Sequence, residues 1–422
     1  VTVGSSANVS FTGTTTITVV GARIAKIDPS TIDTRTVLTA KDLERIPLVQ
    51  SAQAIALLAP GANAGAGGFF GNLTSFGGAG VSENAYYING FFSGEPLSNL
   101  GQLELPYGAI AQQETYTGGY SAKFGRSAGG VINQIGKSGS YEFTFGGKVT
   151  LTPKSLRSDP EDIYYPNLSL PTGYTYESDT LPGTLFKRES GDKRWAQSYS
   201  VYAGGPLIKD RLFGFLALSQ STTKRVINPE NGVAYSVHSE VKDPKVYAKL
   251  NWNITDNHLL EYTYLSERYD LVRNRYAHDF ATGVDGAKLA TVSTPEERDS
   301  TYNILAYTGY LTPDLTLSVN YGRGRYTNKQ VNPGILPGIP LISSANLQNP
   351  ALNGGVTIPN RQGDYLARDG KDDSDGLRAE LEWRVASHTL TAGIDNIKFE
   401  AKNEGQAQVA DRWIYGRLAS PT

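Results

Sequence analysis

The sequence predicts a mixed α+β domain followed by an all-β antiparallel transmembrane β-barrel, incomplete with about nine strands present. Helix signals are confined to the first third of the chain, and from residue 141 apolar and polar residues alternate with a period of two. Very short links between the alternating segments take turns with long polar connections, which is typical of outer-membrane barrels.

Composition excludes several classes of function. The chain has 422 residues, and its 39 Lys and Arg nearly balance 41 Asp and Glu, so it lacks the basic footprint of a nucleic-acid-binding protein. Cysteine is absent, which excludes disulfides and thiolate metal sites. No run of about 18 apolar residues predicts a transmembrane helix. We expect no nucleic-acid partner and no cofactor.

The N-terminal segment contains little pattern. Residues 1–15 hold short strand-like runs and a Thr-rich linker. A brief β-branched run follows, and its residues alone predict an isolated edge strand. The run consists of Thr16, Ile17, Thr18, Val19 and Val20.

Two short helices follow. Thr39 with Asp42 three residues later forms a capping-box pattern, and Pro47 ends the first helix. Ser51 is the N-cap candidate of the second helix, which stops at the Pro-Gly pair at 60–61. The residues alone predict two small helices packed on a sheet.

An aromatic segment surrounds a predicted hairpin. Asn89-Gly90 between two apolar runs predicts a tight turn. Exposed aromatic rings on loops are candidate ligand contacts. Packing against neighbouring structure is the alternative, and we favour it for most of these rings because large aromatic side chains are more often buried. The candidates are Phe69, Phe70, Phe76, Phe91 and Phe92.

Residues 107–140 separate the two parts of the chain. Glycine pairs at 118–119 and 129–130 flank a short polar link and precede the apolar run at 131–135. This predicts a tight turn into a short strand, with an ordinary glycine-rich loop as the alternative.

The same segment, GGYSAKFGRSAGGVINQIGKSGS, resembles the end of the plug domain of TonB-dependent outer-membrane receptors, most closely the Oar-like branch. Lys123 stands where that branch has an acid, and Gly136 where Thr is usual. The motif positions, together with the turn upstream, are Asn89, Gly90, Gly118, Gly119, Phe124, Gly125, Arg126, Gly129, Gly130 and Lys137.

The resemblance implies a division into four parts. Residues 1–15 would end an N-terminal immunoglobulin-like (carboxypeptidase-regulatory-like) domain, and residues 16–22 would be the TonB box, which adds as a strand to the periplasmic protein TonB. Residues 23–140 would be the plug, and residues 141–422 the N-terminal part of the barrel. Because single-chain bacterial barrels have an even strand number, the odd count predicts that the barrel is cut off.

Nine strands are predicted in the second part. Leu377, Leu381 and Trp383 alternate with Arg378 and Glu380, so we expect one face toward lipid and one toward a wet lumen. A soluble sandwich would instead bury its apolar face. The strands lie near 141–152, 197–205, 212–222, 245–254, 258–269, 301–311, 315–326, 376–386 and 388–401, and long polar connections near 153–196, 223–244, 270–300 and 327–374.

Two local features of the second part invite interpretation. Ile397 and Phe399 break phase with Leu390 and Ile394, which predicts a β-bulge. The acidic run 369–376 has the composition of a calcium-binding loop. A cation at its first ligand position, and the place of its last ligand inside an alternating strand, favour a solvated acidic loop instead.

No catalytic pattern is found. The 4 His residues are scattered, and neither a nucleophile elbow nor a phosphate-binding loop is visible. We therefore expect neither enzymatic activity nor a metal site.

The resemblance implies a TonB-dependent transporter in the outer membrane of a Gram-negative bacterium, energised through TonB and its inner-membrane complex. Its surroundings would be outer-membrane lipid and lipopolysaccharide. The direction of transport stays open, and for the extracellular ligand a peptide or carbohydrate fits no worse than a siderophore. One alternative is a surface barrel with a structural or adhesive role and no transport, and another is a soluble β-rich binding protein.

Overall fold

The computed structural model describes residues 33–46, 51–65, 73–96, 99–100, 103–125, 127–166, 182–293, 296–330, 336–343, 348–362, 366–402, 407–408 and 410–415. The predicted TonB box and the segment before it lie outside these residues, as do Phe69, Phe70 and Arg126.

The first part of the chain forms a five-stranded sheet, here called the plug sheet, with the order β1-β6-β7-β4-β5. All neighbours in it are antiparallel except β4 and β7, which are parallel. The elements are β1 (Thr34–Thr39), α1 (Ala40–Arg45), α2 (Ala52–Ala56), β2 (Ala62–Ala64), β3 (Thr74–Phe76), β4 (Ala85–Ile88), β5 (Phe91–Phe92), β6 (Ile110–Gly118) and β7 (Val131–Gly136).

Both predicted helix starts are confirmed. Thr39 and Asp42 form the reciprocal capping box of α1, in which the Asp42 backbone N–H donates to Thr39 Oγ1. The Ser51 side chain caps α2 by accepting from the Ala54 backbone N–H at 3.2 Å. Neither of these described helices is long or apolar enough to cross a membrane.

The second part forms a large antiparallel sheet, here called the wall, with the order β8-β11-β12-β13-β14-β16-β17-β19-β20. All nine predicted strands are present. The elements are β8 (Thr144–Thr152), β9 (Ile163–Tyr164), β10 (Leu185–Lys187), β11 (Lys193–Ile208), β12 (Leu212–Ile227), β13 (Tyr235–Thr255), β14 (His258–Asp279), β15 (Val284–Ser293), β16 (Glu296–Thr312), β17 (Leu315–Gln330), β18 (Leu341–Ser343), β19 (Leu366–Val385), β20 (His388–Lys402), β21 (Ala407–Gln408) and β22 (Arg412–Ile414).

The two ends of the wall differ in their connections. At one end, here called the long-hairpin rim, lie the connections from β8 to β11, β12 to β13, β14 to β16 and β17 to β19. The opposite end is here called the short-turn rim. Tight turns join β11 to β12, β13 to β14, β16 to β17 and β19 to β20 at this end of the sheet. The chain leaves the plug sheet and enters the wall near that end, where Thr144 of β8 pairs with Gly204 of β11. Within the described residues β8 and β20 pair with one wall neighbour each, so the wall is not closed.

The apolar side chains of the wall point away from the plug. Leu381 and Trp383, for example, remain 40% and 50% exposed on the outer face. A soluble sandwich would bury these side chains, whereas a barrel wall turns them toward lipid. The predicted lipid-facing alternation is therefore confirmed.

The lengths predicted for the polar connections are wrong. Most of 223–244 and 270–300 belongs to β12, β13, β14, β15 and β16, which extend beyond the apolar segments. Polar residues there do not mark loops, because cross-strand hydrogen bonds hold the hairpins together and both faces of the extensions lie beyond the apolar band.

The acidic run at 369–376 is also a strand rather than a solvated loop. Within β19, Asp375 lies 3.6 Å from Arg323 and Asp373 lies 3.0 Å from Arg325 of the paired strand β17. The acidic run is matched to a basic run on its neighbour, and opposite charges across strands stabilise the pairing.

The predicted bulge in β20 is wrong. Its pairing with β19 runs without a shift from Lys402 to His388. Phe399 instead packs edge-to-face on Phe92 of the plug, with ring centroids 5.5 Å apart, and Ile397 packs beside it. The apolar phase changes because inward positions are apolar where they contact the plug.

Candidate functional site: the plug and the inner face of the wall

Directly paired residues of neighbouring strands share one face of a sheet. The inner face of the wall can therefore be followed as rows that cross the strands. The row of Thr263 passes through Ile304, Gly322 and Gly376. Two rows nearer the long-hairpin rim, Ser200, Ser219, Lys245 and Glu267 lie side by side.

Asn89 joins the plug to the wall. Its side-chain Oδ1 accepts from the Gly136 backbone N–H at 2.9 Å, within the plug. Its Nδ2 donates to Thr263 Oγ1 at 3.1 Å and to the Tyr247 hydroxyl at 3.4 Å, on the wall. The Asn320 side chain completes the link by donating to the Asn89 carbonyl at 3.0 Å. Through its side chain and its carbonyl, Asn89 thus ties the β4–β5 turn and β7 of the plug to three wall strands.

The turn that presents Asn89 has the predicted geometry. Asn89 and Gly90 both have left-handed backbones, with φ of 49° and 79°. Two successive positive φ values are the signature of a tight hairpin turn, and Asn-Gly is the sequence that adopts it most easily. The predicted turn is confirmed, and the left-handed position brings the Asn89 side chain against the wall.

Phe91 occupies a socket made by two paired glycines. Gly322 and Gly376 face each other on β17 and β19. A Cβ at Gly322 would lie 2.3 Å from the Phe91 ring, and one at Gly376 would lie 2.8 Å from it. Phe91 is 4% exposed and packs edge-to-face with Tyr302 of the wall. Only glycines leave room for this ring.

The other described aromatic candidates are buried too. Phe76 packs inside the plug against Tyr86 and Ile132, and Phe92 packs between Tyr87 and the wall. This is the packing that we favoured for most of these rings. A role for the candidates in contacting ligand stays a prediction.

The glycine motif forms a turn followed by β7, as predicted. Gly119 has a φ of 65°. A Cβ at Gly129 would lie 2.5 Å from Asn84 Oδ1, and one at Gly130 would lie 2.4 Å from the Phe76 ring. A Cβ at Gly118 would meet open space, so packing does not require glycine there.

The remaining motif residues hold the turn and the exit from the plug. The Phe124 ring packs against Tyr87, whose hydroxyl donates to the Gly125 carbonyl at 3.2 Å. At the exit, the Lys137 carbonyl accepts from the Tyr247 hydroxyl at 2.9 Å. These residues position the plug rather than contact open space.

A half-buried ion cluster forms a second attachment. Lys245 of the wall lies 2.7 Å from Glu104 of the plug, 2.9 Å from Glu267 and 3.3 Å from Asp243. Sequence reasoning missed this cluster, because Lys245 and Glu104 are 141 residues apart. Only the strand register shows that these charges meet.

A polar network holds the edge strand β1 to the plug sheet. Arg35 Nη1 of β1 donates to the Tyr116 hydroxyl, which donates to Glu114 at 2.9 Å. The Asn133 side chain donates to the same carboxylate at 2.9 Å. Burial raises the pKa of Tyr116 to about 12, so this hydroxyl stays a donor at physiological pH.

His238 and His278, which are 40 residues apart in the sequence, share the carboxylate of Asp285 near the long-hairpin rim. Asp285 of β15 contacts His278 at 2.6 Å and His238 at 2.7 Å. Burial alone would raise the pKa of Asp285, but hydrogen bonds from His278 and His238 hold it below its ordinary value. Across the described part of the chain, no three acidic or histidine side chains form a group that could hold a metal ion.

Comparisons with known proteins agree with this architecture. Residues 29–131 match the sequence model of the TonB-dependent Receptor Plug Domain. The chain is 29% identical over 175 residues to the TonB-dependent transporter Oar of Myxococcus xanthus, a match that covers 42% of this chain and 14% of Oar.

Solved structures show the same fold. The outer membrane transporter YddB from Escherichia coli superposes with a TM-score of 0.63 at 14% identity, over 90% of this chain and 50% of YddB. The siderophore receptor PirA from Acinetobacter baumannii gives 0.56 at 17% identity, over 87% of this chain and 48% of PirA. The chain therefore spans about half the length of these structures and a smaller share of Oar.

Proposed function

Because this chain belongs to the TonB-dependent receptors, we propose that it works as part of a transporter in the outer membrane of a Gram-negative bacterium, energised by TonB. The observation that carries the proposal is the placement of the plug. The plug sheet lies against the inner face of a wall whose outer face is apolar, and Asn89, Phe91 and Glu104 attach it there.

The proposed coupling begins in the TonB box, residues 16–22, at its β-branched run 16–20. A β-branched segment of this kind can add as a strand to TonB, with affinity from backbone hydrogen bonds. The chain then reaches β1 at Thr34, an edge strand of the plug sheet that pairs only with β6 among the described strands. Force on the box would therefore act first on β1 and on the Arg35–Tyr116 contact.

The test replaces one residue of the box. Proline cannot donate a backbone hydrogen bond, so Val19→Pro should abolish binding of the purified periplasmic domain of TonB to the native, detergent-extracted protein. Val19→Ala keeps the backbone donor and should bind within about threefold of the wild type, because side-chain identity matters little in strand addition. Calorimetry measures both.

Three results would separate the alternatives. Loss of binding in Val19→Pro alone supports the proposal. Equal binding by both variants would show that residues 16–20 are not the TonB box. Surface exposure without any TonB binding by the wild type would overturn the transporter proposal and favour the surface barrel with a structural or adhesive role.

A further inference from the structure

Two arginines face each other on the inner wall near the long-hairpin rim. Arg194 of β11 and Arg225 of β12 are directly paired in the ladder. Tyr199 and Val201, at odd positions of β11, are exposed on the outer face, so Arg194 lies on the inner face. Like charges directly opposite each other destabilise a sheet. This pair therefore needs an explanation.

A third arginine is close to this pair. Residues Lys154–Leu156 form a turn that contacts β11, and Arg157 follows directly. Its positive charge and that of Arg225 both act on Arg194. The row continues from Arg225 through Ser239 to Arg273. The inner surface here is thus cationic, although the chain as a whole has a net charge of −2.

The neighbouring acids already have other partners. Asp192 accepts from the Asn228 backbone N–H at 2.7 Å and lies 4.0 Å from Lys187, and the charge of Arg225 acts on it from beyond ion-pair distance. Glu296 pairs with Arg298 and lies 3.6 Å from Arg273. Within the described ranges, no carboxylate lies within ion-pair distance of the three clustered arginines, Arg157, Arg194 and Arg225.

We propose that Arg157, Arg194 and Arg225 form an anion-binding site that takes a carboxylate- or phosphate-bearing ligand entering from the long-hairpin rim. Guanidinium groups bind such oxygens through paired hydrogen bonds, and a bound anion removes the repulsion that the empty cluster carries. The site faces the lumen rather than lipid. The proposal rests on the proposed transporter function, since it supplies the first contact of the ligand above the plug.

The distance to the plug fits this role. Ser200, in the row of Lys245, lies six residues along β11 from Arg194, which corresponds to roughly 20 Å of extended strand. The cluster is therefore separated from the plug attachments by several rows of the inner face. Substituting it should leave the plug docked.

The test measures binding of two defined probes, citrate and inorganic pyrophosphate, to the native protein in detergent by calorimetry. Arg194→Gln and Arg225→Gln should each weaken binding roughly tenfold or more, since hydrogen bonds to charged groups are among the strong ones. Lys224→Gln is the matched control, because Lys224 is adjacent in β12 but points outward toward Glu240. It should bind both probes like the wild type.

A second readout separates binding from structure. Removing one of two facing positive charges should leave the melting temperature unchanged or raise it, whereas loss of a structural residue would lower it. Failure of the wild type to bind either probe, or equal weakening in Lys224→Gln, would overturn the anion site. Neither result involves TonB, so the proposed function could stand or fall separately in the Val19 experiment.

Discussion

Substitution of Asn89 by Ala tests whether one side chain holds the plug to the wall. The change removes the acceptor for the Gly136 backbone N–H and both donors to Thr263 and Tyr247. It also places Ala at a φ of 49°. Wall strands and plug helices keep their own contacts, so the effect should be confined to the plug–wall junction.

The magnitude follows from these losses. Leaving the buried Gly136 N–H without its acceptor costs roughly 1–3 kcal/mol, and the lost donor bonds about 1 kcal/mol. A left-handed backbone costs Ala roughly 1–2 kcal/mol, and Asn escapes part of this cost because its short polar side chain can hydrogen-bond locally. Asn89→Ala should therefore lower the free energy of local opening by about 3–5 kcal/mol. Asn89→Gly avoids the backbone cost and should lower it by about 2–4 kcal/mol, by the same reasoning.

Hydrogen exchange of residues 85–92 and 131–137 measures this opening, because a change of about 1.4 kcal/mol corresponds to tenfold in the opening equilibrium. Asn89→Ala should exchange faster by at least roughly a hundredfold, and Asn89→Gly should fall between it and the wild type. Asn89→Asp retains the acceptor and tolerates the left-handed backbone, so it should be the mildest variant. Exchange in Asn89→Ala within threefold of the wild type would refute the reasoning.

Three further perturbations address other contacts. In Gly322→Ala the new methyl group should clash with the Phe91 ring and destabilise plug docking by roughly 1–3 kcal/mol, as measured by hydrogen exchange. Gly118→Ala places its methyl group in open space and should leave docking unchanged. Equal effects of the two variants would contradict the Phe91 socket. Lys245→Gln should destabilise docking by roughly 1–3 kcal/mol because it leaves half-buried carboxylates uncompensated. Lys242→Gln, on the outer face, should change little; similar exchange in both would contradict the cluster. The hydrogen bonds that depress the pKa of Asp285 stabilise the β14–β15 hairpin at neutral pH. This contribution should begin to fall below about pH 4, the unfolded pKa, and be lost as the pH passes through the lower folded pKa; protection factors of the hairpin that stay constant down to about pH 2 would contradict it.

Local chemistry in the sequence was sufficient to predict several elements. The Asn89-Gly90 turn depends on two adjacent residues that tolerate positive φ, and the caps of α1 and α2 depend on side chains three residues apart. The nine wall strands were visible because their outer face must be apolar within the lipid band. Each of these signals is contained in a few consecutive residues.

The rest depends on register, which no short segment contains. The extensions of β12 to β16 beyond the apolar segments were not predicted. Where both faces of a strand contact water, apolar and polar residues no longer need to alternate, so the sequence pattern that marks a strand is absent. Lys245 meets Glu104, and Arg194 meets Arg225, only after β11, β12 and β13 have paired at one particular offset. A shift of one residue would turn these charges to the outer face.

The separation of the arginine cluster from the plug constrains how a ligand could signal its arrival. Roughly 20 Å of strand lie between the row of Arg194 and the row of Lys245, whereas the Debye length at physiological ionic strength is about 8 Å. Arg194 and Arg225 are exposed, so direct electrostatic influence of a bound anion on the Lys245–Glu104 pair should be small. To contact the plug from the proposed anion site, a ligand must therefore extend across this distance. An elongated ligand with one anionic end, such as a peptide or an acidic oligosaccharide, would span this distance from the proposed anion site, and a small inorganic anion would not.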